Sequence, residues 1–506
     1  MGDSMVVGVV GAGAMGAGIV QWAAEAGHTV IAFDARPGAV AAATAKLSEL
    51  LDRGVAKGRT TAAAAAATLA RITAAGTLAD FARADLVIEA IVEDLAAKRA
   101  LFTDLEAIVR PDAVLATNTS SLSVTAVAAA LHRPERVAGL HFFNPVPLMK
   151  VAEVIPGLRT SGDVVERLAA FVAATGHRAA VCRDTPGFLV NHAGRAYSTE
   201  GQKIVQDGVA EPADVDRVMT EVAGFRMGPF ELFDLTGLDV SARVIEEIYN
   251  QYYQEPRYRP SPMAGRRVAA GLYGRKSGEG FYRYEDGRKV AAAETVSPAG
   301  PLPTVWLGAV DAELRETLAA AFAEGGADVS LAAAPPAGAA ILLTPLGLDA
   351  THAALAAGLD PSRSVAVDPL FPAAFAAGGR VTLMAPPGAA PAADGVHRAL
   401  VAAGRTVTHI ADSPGFIAQR MLAMVVAVSC EIAQQRIATP ADIDAAVTRG
   451  LGYPLGPLAF GDTLGPARVV TILAAMHELT GDPRYRPGLW LRRRAALGLP
   501  LGTPDR

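Results

Sequence analysis

The sequence predicts an α/β protein in which a doubly wound parallel sheet is followed by an all-α domain, and in which this pair is partly duplicated. Strand-like and helix-like segments alternate over residues 1–183, a pattern typical of a parallel sheet covered by helices. From Thr185 to about Tyr273 the segments read as helices, without strands of similar quality. Two stretches of this helical region recur later in the chain at one common offset.

Short β-branched runs bounded by turn residues predict the strands of the first sheet. They are MVVGVV (5–10), HTVIAF (28–33), ADLVIEA (84–90), DAVLAT (112–117), RVAGLHF (136–142), KVAEVI (150–155) and HRAAVC (177–182). Helical patterns separate several of them, and such alternation favours parallel strands joined by crossover helices.

The helical region is duplicated. DTPGFLVN (184–191) recurs as DSPGFIAQ (412–419), and EPADVDRVMTEVAGFRMGPFELFD (211–234) recurs as TPADIDAAVTRGLGYPLGPLAFGD (439–462). Two chance matches at the same offset would be improbable, so we predict two copies of one helical domain.

A reduced copy of the sheet is predicted between the two helical copies. Residues 305–411 carry strand-like runs and Ala-rich helices, but their opening turn, GAVDAEL, lacks the glycines that a phosphate needs. HFFNP (141–145) corresponds to DPLFP (368–372), and AEVIPG (152–157) to LMAPPG (383–388), so a histidine and a glutamate are missing. We predict a degenerate second α/β region and one active site per chain. The predicted division is residues 1–183, 184–284, a linker at 285–304, 305–411 and 412–506.

Length and composition exclude several classes of protein. At ~150 residues per domain, a chain of 506 residues should hold three or four domains. The net charge of −5 shows no basic excess, so neither nucleic acid nor membrane is expected as a partner. Cys182 and Cys430 are too few for a disulfide framework, and no metal is predicted. A strand pattern at the start and no long, strongly apolar run predict a soluble cytoplasmic protein.

The segment GAGAMG (11–16) follows the first strand and opens a helix, which predicts a Rossmann-like dinucleotide site. Gly11, Gly13 and Gly16 permit a tight turn and close approach of a pyrophosphate, with Ala14 and Met15 between them. Asp34 ends the second strand, where a carboxylate binds ribose hydroxyls and repels a 2′-phosphate. NAD is therefore favoured over NADP, although Arg36 lies nearby. FAD stays open, because flavoproteins share this fingerprint.

Residues 5–284 resemble the 3-hydroxyacyl-CoA dehydrogenase family. The resemblance rests on successive segments in family order: GVVGAGAMGAGIVQWAAEAGHTVIAFD, IEAIVEDLAAKRALF, TNTSSLSVTAVA, HFFNPVPLMKVAEVI, DTPGFLVNHAGRAY, GPFELFDLTGLDV and YGRKSGEGFYRY. It implies NAD-dependent oxidation of (S)-3-hydroxyacyl-CoA to 3-oxoacyl-CoA. The extra helical copy resembles the long bacterial form, which implies 3-hydroxyadipyl-CoA as substrate in phenylacetate catabolism. The alternatives are 3-hydroxybutyryl-CoA and the general fatty acid substrates of β-oxidation.

The chemistry of alcohol oxidation agrees with two residues of HFFNPVPLMKVAEVI. A base must take the hydroxyl proton, and a neutral imidazole is the usual choice. His141 ends one predicted strand and Glu153 lies in the next, so the carboxylate could orient the imidazole. The resemblance implies these same roles. A structural histidine and a surface glutamate are the alternatives.

The resemblance implies further site residues. Ser120 and Asn191 would hold the substrate oxygen, although a helix cap and an interdomain contact would also explain them. Cofactor contacts are implied at Glu93, Lys98 and Asn118, where a surface ion pair between Glu93 and Lys98 is the alternative. The basic segment LDRGVAKGRT offers Arg53, Lys57 and Arg59 to the phosphates of coenzyme A, although a basic helix is usually a solvated face.

The same residues argue against two alternative functions, and the duplication predicts how the helical copies pack. Related dehydrogenases of 3-hydroxyisobutyrate or 6-phosphogluconate type use a catalytic lysine, and HFFNP with its glutamate speaks against them. A crystallin-like relative that binds NAD without turnover would not need His141, Glu153, Ser120 and Asn191. Single-copy family members dimerise through the helical domain. We expect residues 412–506 to pack on 184–284 and replace that contact in a chain that could still form a homo-oligomer.

Overall fold

A mostly parallel sheet forms the first part of the computed structural model, which describes residues 4–505. Residues 1–3 and 506, which the predicted first and last domains include, lie outside the described residues. The strands are β1 (Val6–Val10), β2 (Thr29–Phe33), β3 (Ile72–Ala74), β4 (Leu86–Glu89), β5 (Val114–Thr117), β6 (Val137–Phe142), β7 (Val151–Pro156) and β8 (Arg178–Val181). Their order is β3-β2-β1-β4-β5-β6-β7-β8, and β6 and β7 alone in this sheet pair antiparallel.

Helices cover this sheet, which is why its strands read as apolar runs. They are α1 (Ala14–Glu25), α2 (Ala39–Ala56), α3 (Ala62–Ala70), α4 (Leu95–Ile108), α5 (Val124–Ala128) and α6 (Gly162–Ala174), and the short helix α7 (Val190–Ala193) follows β8. Every residue of β4, β5 and β6 is buried. Each predicted strand of the first sheet is present. The three-residue strand β3 was not predicted, because its last two residues are exposed and leave no apolar run.

The first helical copy follows, and a small hairpin ends it. The helices are α8 (Arg195–Gln206), α9 (Pro212–Arg217), α10 (Pro229–Thr236), α11 (Leu238–Gln251) and α12 (Pro262–Ala269). Helix α9 continues into a π turn at Val218–Val222. The hairpin pairs β9 (Tyr284–Glu285) with β10 (Arg288–Lys289), so the predicted linker begins inside it.

The second α/β region is a six-stranded sheet with a reduced set of elements. Its strands are β11 (Thr304–Trp306), β12 (Asp328–Ser330), β13 (Ala340–Leu343), β14 (Ser364–Val367), β15 (Arg380–Met384) and β16 (Thr406–His409), with helices α13 (Ala312–Glu324), α14 (Ala350–Ala356) and α15 (Ala390–Ala402). The order is β12-β11-β13-β14-β15-β16, and β14 and β15 are antiparallel like β6 and β7. Because β11 pairs directly with β13, one strand fewer lies between the first strand and the antiparallel pair than in the first sheet, and no described strand lies beyond β12 at that edge.

The second helical copy completes the chain, and the fold class is confirmed. Its helices are α16 (Ile417–Gln434), α17 (Pro440–Leu451), α18 (Pro457–Leu464), α19 (Pro466–Thr480) and α20 (Leu489–Leu497). By length and composition α16 could cross a membrane, but 89% of it is buried in the structure, as in the core helix of a globular domain. The chain forms two compact units. One comprises the residues up to His192 with Gln435–Leu451, and the other comprises Ala193–Gln434 with the residues from Gly452 onward.

Strand register corrects one part of the predicted correspondence between the two sheets. His141 lies directly opposite Glu153. In the second sheet Ala366 lies opposite Met384, and the Asp368 N–H donates to the Thr382 carbonyl. The partner of Asp368 is therefore Thr382, whereas the sequence alignment with AEVIPG placed Met384 there. That alignment matched the Pro-Gly pairs after the strands, but backbone pairing sets the register.

The turn that opens the second sheet is filled by side chains. The Leu307 N–H donates to the Ser330 carbonyl as the Gly11 N–H donates to that of Phe33, so buried Leu307 takes the place of Gly11. A Cβ added at Gly308 would lie 2.1 Å from the Trp306 ring. The Leu307 side chain and the Trp306 ring therefore occupy the space beside this turn.

Candidate active site

A different steric feature explains the absence of a side chain at each glycine of the GAGAMG turn. Gly11 has φ 108°, and a Cβ there would lie 2.4 Å from the Ala90 carbonyl oxygen. A Cβ at Gly16 would lie 1.8 Å from the Gly11 oxygen, so close packing requires these two glycines. A Cβ at Gly13 would meet no atom within 4 Å. The middle glycine therefore leaves an open surface for a ligand.

The open surface lies at the beginning of helix α1. Gly13 is the N-cap, and no side chain caps the helix. The first N–H groups of a helix have no intrahelical partner, and the helix dipole favours an anion beside them. Gly13 and Ala14 are exposed, and Met15 follows in the first turn. This end of the helix fits the pyrophosphate of a dinucleotide.

Asp34 stands just beyond β2, where a ribose would lie in this type of site. Its carboxylate accepts from the Ala12 N–H at 2.8 Å and from the Arg36 N–H at 2.9 Å. The hydrogen-bonded Arg36 guanidinium, 3.1 Å away, lowers the pKa of Asp34 to about 2. The carboxylate is thus ionised at neutral pH, and Arg36 is engaged with it.

His141 and Glu153 form a buried pair across β6 and β7. The His141 Nδ1 lies 2.5 Å from the Glu153 Oε2, and the two side chains are 6% and 0% exposed. A carboxylate can only accept, so Nδ1 carries the proton and Nε2 is left as the basic nitrogen. Because the Glu153 side chain is fully buried, the alternative of a surface glutamate is excluded.

An unusual turn holds Glu153 from the other side. The Leu189 and Val190 N–H groups donate to the Glu153 Oε1 at 2.9 and 2.7 Å. Phe188 before them has φ 47°, which is rare for a residue with a side chain. Both carboxylate oxygens are therefore engaged, and the glutamate has a fixed orientation.

Aromatic rings surround the imidazole. Phe143 packs edge-on at 4.6 Å between ring centroids, and Phe188 lies at 5.8 Å. Apolar walls lower the local dielectric constant and so strengthen the interaction of the imidazole with Glu153. The Trp22 and Phe142 rings pack behind the strand at 4.6 Å.

Of the two predicted oxygen-binding residues, Asn191 follows a turn tied to the pair, whereas Ser120 lies on a loop tied to Glu93. Asn191 is in the first turn of α7, directly after the Val190 amide that binds Glu153. The Asn118 Oδ1 accepts from the Phe142 N–H at 2.9 Å, which joins the end of β5 to the strand of His141. The Ser120 N–H donates to the Glu93 Oε1 at 2.9 Å. The structure thus ties Ser120 to Glu93, Asn118 to β6, and the turn before Asn191 to Glu153.

Glu93 and Lys98 are not a surface pair. The Lys98 side chain is 1% exposed, and its ammonium lies 2.6 Å from Glu89 and 3.2 Å from Glu93. Burial opposes ionisation of Glu93, but Lys98 and donors including the Thr119 hydroxyl outweigh it and lower the pKa of Glu93. Glu89 also accepts from the Thr117 hydroxyl at 2.7 Å. Sequence reasoning missed Glu89, although an acid at the end of the buried run LVIE was a usable signal.

Arg53 and Lys57 lie at the exposed C-terminal end of α2, where Arg53 is in the last turn and Lys57 is the C-cap. Arg59 is also exposed. This end of the helix forms a small cationic surface of the first unit.

A glycine turn open to a dinucleotide and a buried His–Glu pair on the same sheet define a nicotinamide-dependent dehydrogenase. The comparisons with known proteins narrow this class. The NAD-binding domain of 3-hydroxyacyl-CoA dehydrogenase matches residues 6–185, and the C-terminal domain of the same family matches residues 187–284 and again 415–502. The chain belongs to the 3-hydroxyacyl-CoA dehydrogenase family. It is an NAD-dependent enzyme that acts on 3-hydroxyacyl-CoA thioesters.

Relatives match the chain over two different lengths. It is 37% identical to the 3-hydroxyadipyl-CoA dehydrogenase of Escherichia coli over 97% of both chains. A crystal structure of a 3-hydroxybutyryl-CoA dehydrogenase from Escherichia coli has a TM-score of 0.83 at 35% identity and covers 98% of this chain and 99% of its own. A probable 3-hydroxybutyryl-CoA dehydrogenase of Bacillus subtilis is 41% identical over 55% of this chain and 96% of its own. The duplicated architecture is therefore shared by some relatives and absent from others.

Proposed function

We propose that the physiological substrate is (S)-3-hydroxyadipyl-CoA, oxidised in the cytoplasm as a step of phenylacetate catabolism. The observation that carries the proposal is the match to a 3-hydroxyadipyl-CoA dehydrogenase over 97% of both chains, including the degenerate region. 3-Hydroxybutyryl-CoA is the second candidate, because a structure named for that substrate also matches along its whole length.

We propose that His141 is the base. Its Nε2 takes the proton of the 3-hydroxyl group, and the Nδ1–H bond to Glu153 stabilises the imidazolium that forms. Ser120 and Asn191 hold the substrate oxygen as it becomes a carbonyl, because each offers a donor to developing negative charge. Bound NAD would supply the acceptor for the hydride that leaves the carbon bearing the 3-hydroxyl group.

The cofactor would be held by the first unit. Gly11, Gly13, Ala14, Met15 and Gly16 form the turn that we assign to the pyrophosphate, and Asp34 is assigned to the ribose. Glu93, Lys98 and Asn118 are proposed as further cofactor contacts. The supporting observation is that Glu93 accepts a hydrogen bond from the Ser120 N–H, and Asn118 accepts one from the Phe142 N–H on the strand of His141.

The substrate would be bound by Ser120 and Asn191 at the reacting oxygen and by Arg53 and Lys57 at the phosphates of coenzyme A. Exposed cations suit a phosphate-rich ligand, and the interaction would weaken as salt screens it. Replacing both cations by Gln should raise KM for acyl-CoA at low ionic strength without lowering kcat. An unchanged KM would remove these two residues from the proposed site.

Substrate preference is tested by comparing kcat/KM on 3-hydroxyadipyl-, 3-hydroxybutyryl- and longer unbranched 3-hydroxyacyl-CoA at saturating NAD. We expect kcat/KM for 3-hydroxyadipyl-CoA to exceed that for 3-hydroxybutyryl-CoA by about tenfold or more, which corresponds to about 1.4 kcal/mol of transition-state stabilisation. The reverse order would favour the second candidate. Activity on none of the three would contradict both.

We infer that the two helical copies pair within the chain in place of a contact between two chains. EPRYRP (255–260) recurs as DPRYRP (482–487), and the repeats bind reciprocally. Arg257 donates to the Arg486 carbonyl at 2.8 Å, and Arg484 donates to the Arg259 carbonyl at 3.4 Å. Exchange of equivalent bonds is typical of a two-fold interface.

A buried ion pair lies in the same interface. Helix α16 packs against α8, and Arg420 lies 2.8 Å from Glu200, with side chains 4% and 0% exposed. A chain that ends near residue 300 would expose this surface and should be insoluble or dimeric, as measured by sedimentation. A soluble, fully active monomer would contradict the inference.

A further inference from the structure

Helix α17 of the second helical copy packs in the first unit, beside the strand that carries Glu153. The Arg183 N–H donates to the Ile437 carbonyl at 2.9 Å, just beyond the end of β8. Arg178 on β8 lies 2.5 Å from Asp442 in the first turn of α17. Backbone and side-chain bonds thus attach this segment to the edge of the first sheet.

Gly450, in the last turn of α17, brings the helix close to the Glu153 pocket. A Cβ at Gly450 would lie 3.1 Å from the Val190 Cγ1 and 3.3 Å from the Val151 Cγ1. These distances are tighter than ordinary contacts, so a side chain there would displace its neighbours. Val190 donates its N–H to Glu153 at 2.7 Å, and Val151 precedes Glu153 on β7.

The first helical copy offers an internal comparison. By the repeat of residues 211–234 in residues 439–462, the counterpart of Gly450 is Val222. Val222 ends the π turn that packs against β15 in the second sheet. That sheet has Asp368 and Thr382 in place of His141 and Glu153. The glycine is therefore found where the helix faces the intact pair, and a valine where the pair is lost.

We propose that Gly450 is a positioning residue for the dehydrogenase reaction. It lets α17 support the turn at 188–190, whose two N–H groups fix the Glu153 carboxylate and so the His141 ring. The second helical copy then serves the single active site directly, in addition to covering the first helical copy. This inference rests on the proposed roles of His141 and Glu153.

The test compares Gly450→Ala and Gly450→Val with Gly265→Val in the full chain. Gly265 is also a helical glycine, in α12, but a Cβ there would meet no atom within 4 Å. We expect Gly450→Val to lower kcat by tenfold or more, because small misplacement of a catalytic group is costly. KM for NAD should stay within twofold. Gly265→Val should leave both constants near those of the wild type.

The milder variant and a rescue separate positioning from folding. Alanine is the better helix former, so Gly450→Ala should keep or raise the melting temperature while kcat falls severalfold. Gly450→Val combined with Val190→Ala, which removes the crowded methyl groups and keeps the N–H, should recover kcat relative to Gly450→Val.

Three results would overturn the proposal: a wild-type kcat in both Gly450 variants, an equal loss in Gly265→Val, or the absence of rescue with a parallel rise in KM for NAD. A failure of the proposed function can be distinguished from a failure of this inference. If His141→Gln keeps its activity, the roles of the pair are wrong whatever Gly450 does. If His141→Gln is inactive and the Gly450 variants are normal, this inference alone is wrong.

Discussion

Replacement of Glu153 by Gln tests the geometry of the buried pair with a nearly isosteric side chain. Glu153 accepts three hydrogen bonds, from the His141 Nδ1 and from the Leu189 and Val190 N–H groups. A Gln side chain has one accepting oxygen and one donating NH₂ group. Its oxygen can accept either from the imidazole Nδ1–H or from the two backbone N–H groups, but not from both.

The energies decide which orientation the amide adopts. Turning the NH₂ group toward Leu189 and Val190 would leave two buried donors unsatisfied, at about 1–3 kcal/mol each. The oxygen should therefore stay on the backbone, and the NH₂ group should face His141. The Nδ1 must then accept, so the proton moves to Nε2 and the base is blocked. In a His–carboxylate pair of this kind the wrong tautomer lowers kcat by about 10⁴, or about 5 kcal/mol.

The assay is the steady-state rate of NADH formation, with NAD binding measured in parallel. We expect kcat to fall by about 10³–10⁴ in Glu153→Gln, while the Kd for NAD stays within about twofold. Glu135→Gln is the matched control, because the Glu135 side chain is 47% exposed and lies outside the pair. A kcat within about tenfold of the wild type would refute the tautomer argument.

Three further predictions concern binding and stability. Asp34→Ala should weaken NAD binding and lower the ratio of NAD to NADP affinity; an unchanged ratio in titrations would contradict the role of Asp34. Burial raises the pKa of Asp368 to about 6, so the folded state holds the carboxyl proton of Asp368 more tightly than the unfolded state does. The wild type therefore loses folding stability as pH rises from about 4 to 6. Asp368→Asn should therefore gain up to about 3 kcal/mol relative to the wild type between pH 4 and 8 in urea unfolding, and a pH-independent difference would contradict this. Lys98→Met should lower the free energy of unfolding by about 3–5 kcal/mol in the same assay, because Glu89 and Glu93 lose their cation. An unchanged free energy of unfolding would contradict this role of Lys98.

Local patterns in the sequence predicted much of the site. The glycine turn is a contiguous motif whose spacing follows from backbone sterics, so Gly11, Gly13 and Gly16 could be assigned from the sequence alone. His141 and Glu153 could be paired because an antiparallel return brings two neighbouring strands into register, and the structure shows that register. Their catalytic roles remain predictions that the proposed assays test.

Features set by distant contacts could not be predicted in the same way. The Glu89–Lys98–Glu93 cluster joins β4 to α4, and only packing shows that Lys98 is buried. The pairing of Asp368 with Thr382 depends on backbone register, which the Pro-Gly alignment missed. The position of α17 in the first unit is a tertiary outcome with no local signal. The repeat of EPRYRP as DPRYRP is a signal in the sequence that the predicted duplication did not include, and it marks the helical interface.

The central claim is that His141 is the base of an NAD-dependent 3-hydroxyacyl-CoA dehydrogenase. The most direct test is the rate of NADH formation by His141→Gln at saturating 3-hydroxyacyl-CoA and NAD, with the Kd for NAD as internal control. We expect most of the turnover to be lost while NAD binds with near-normal affinity. Turnover close to that of the wild type would contradict the central claim.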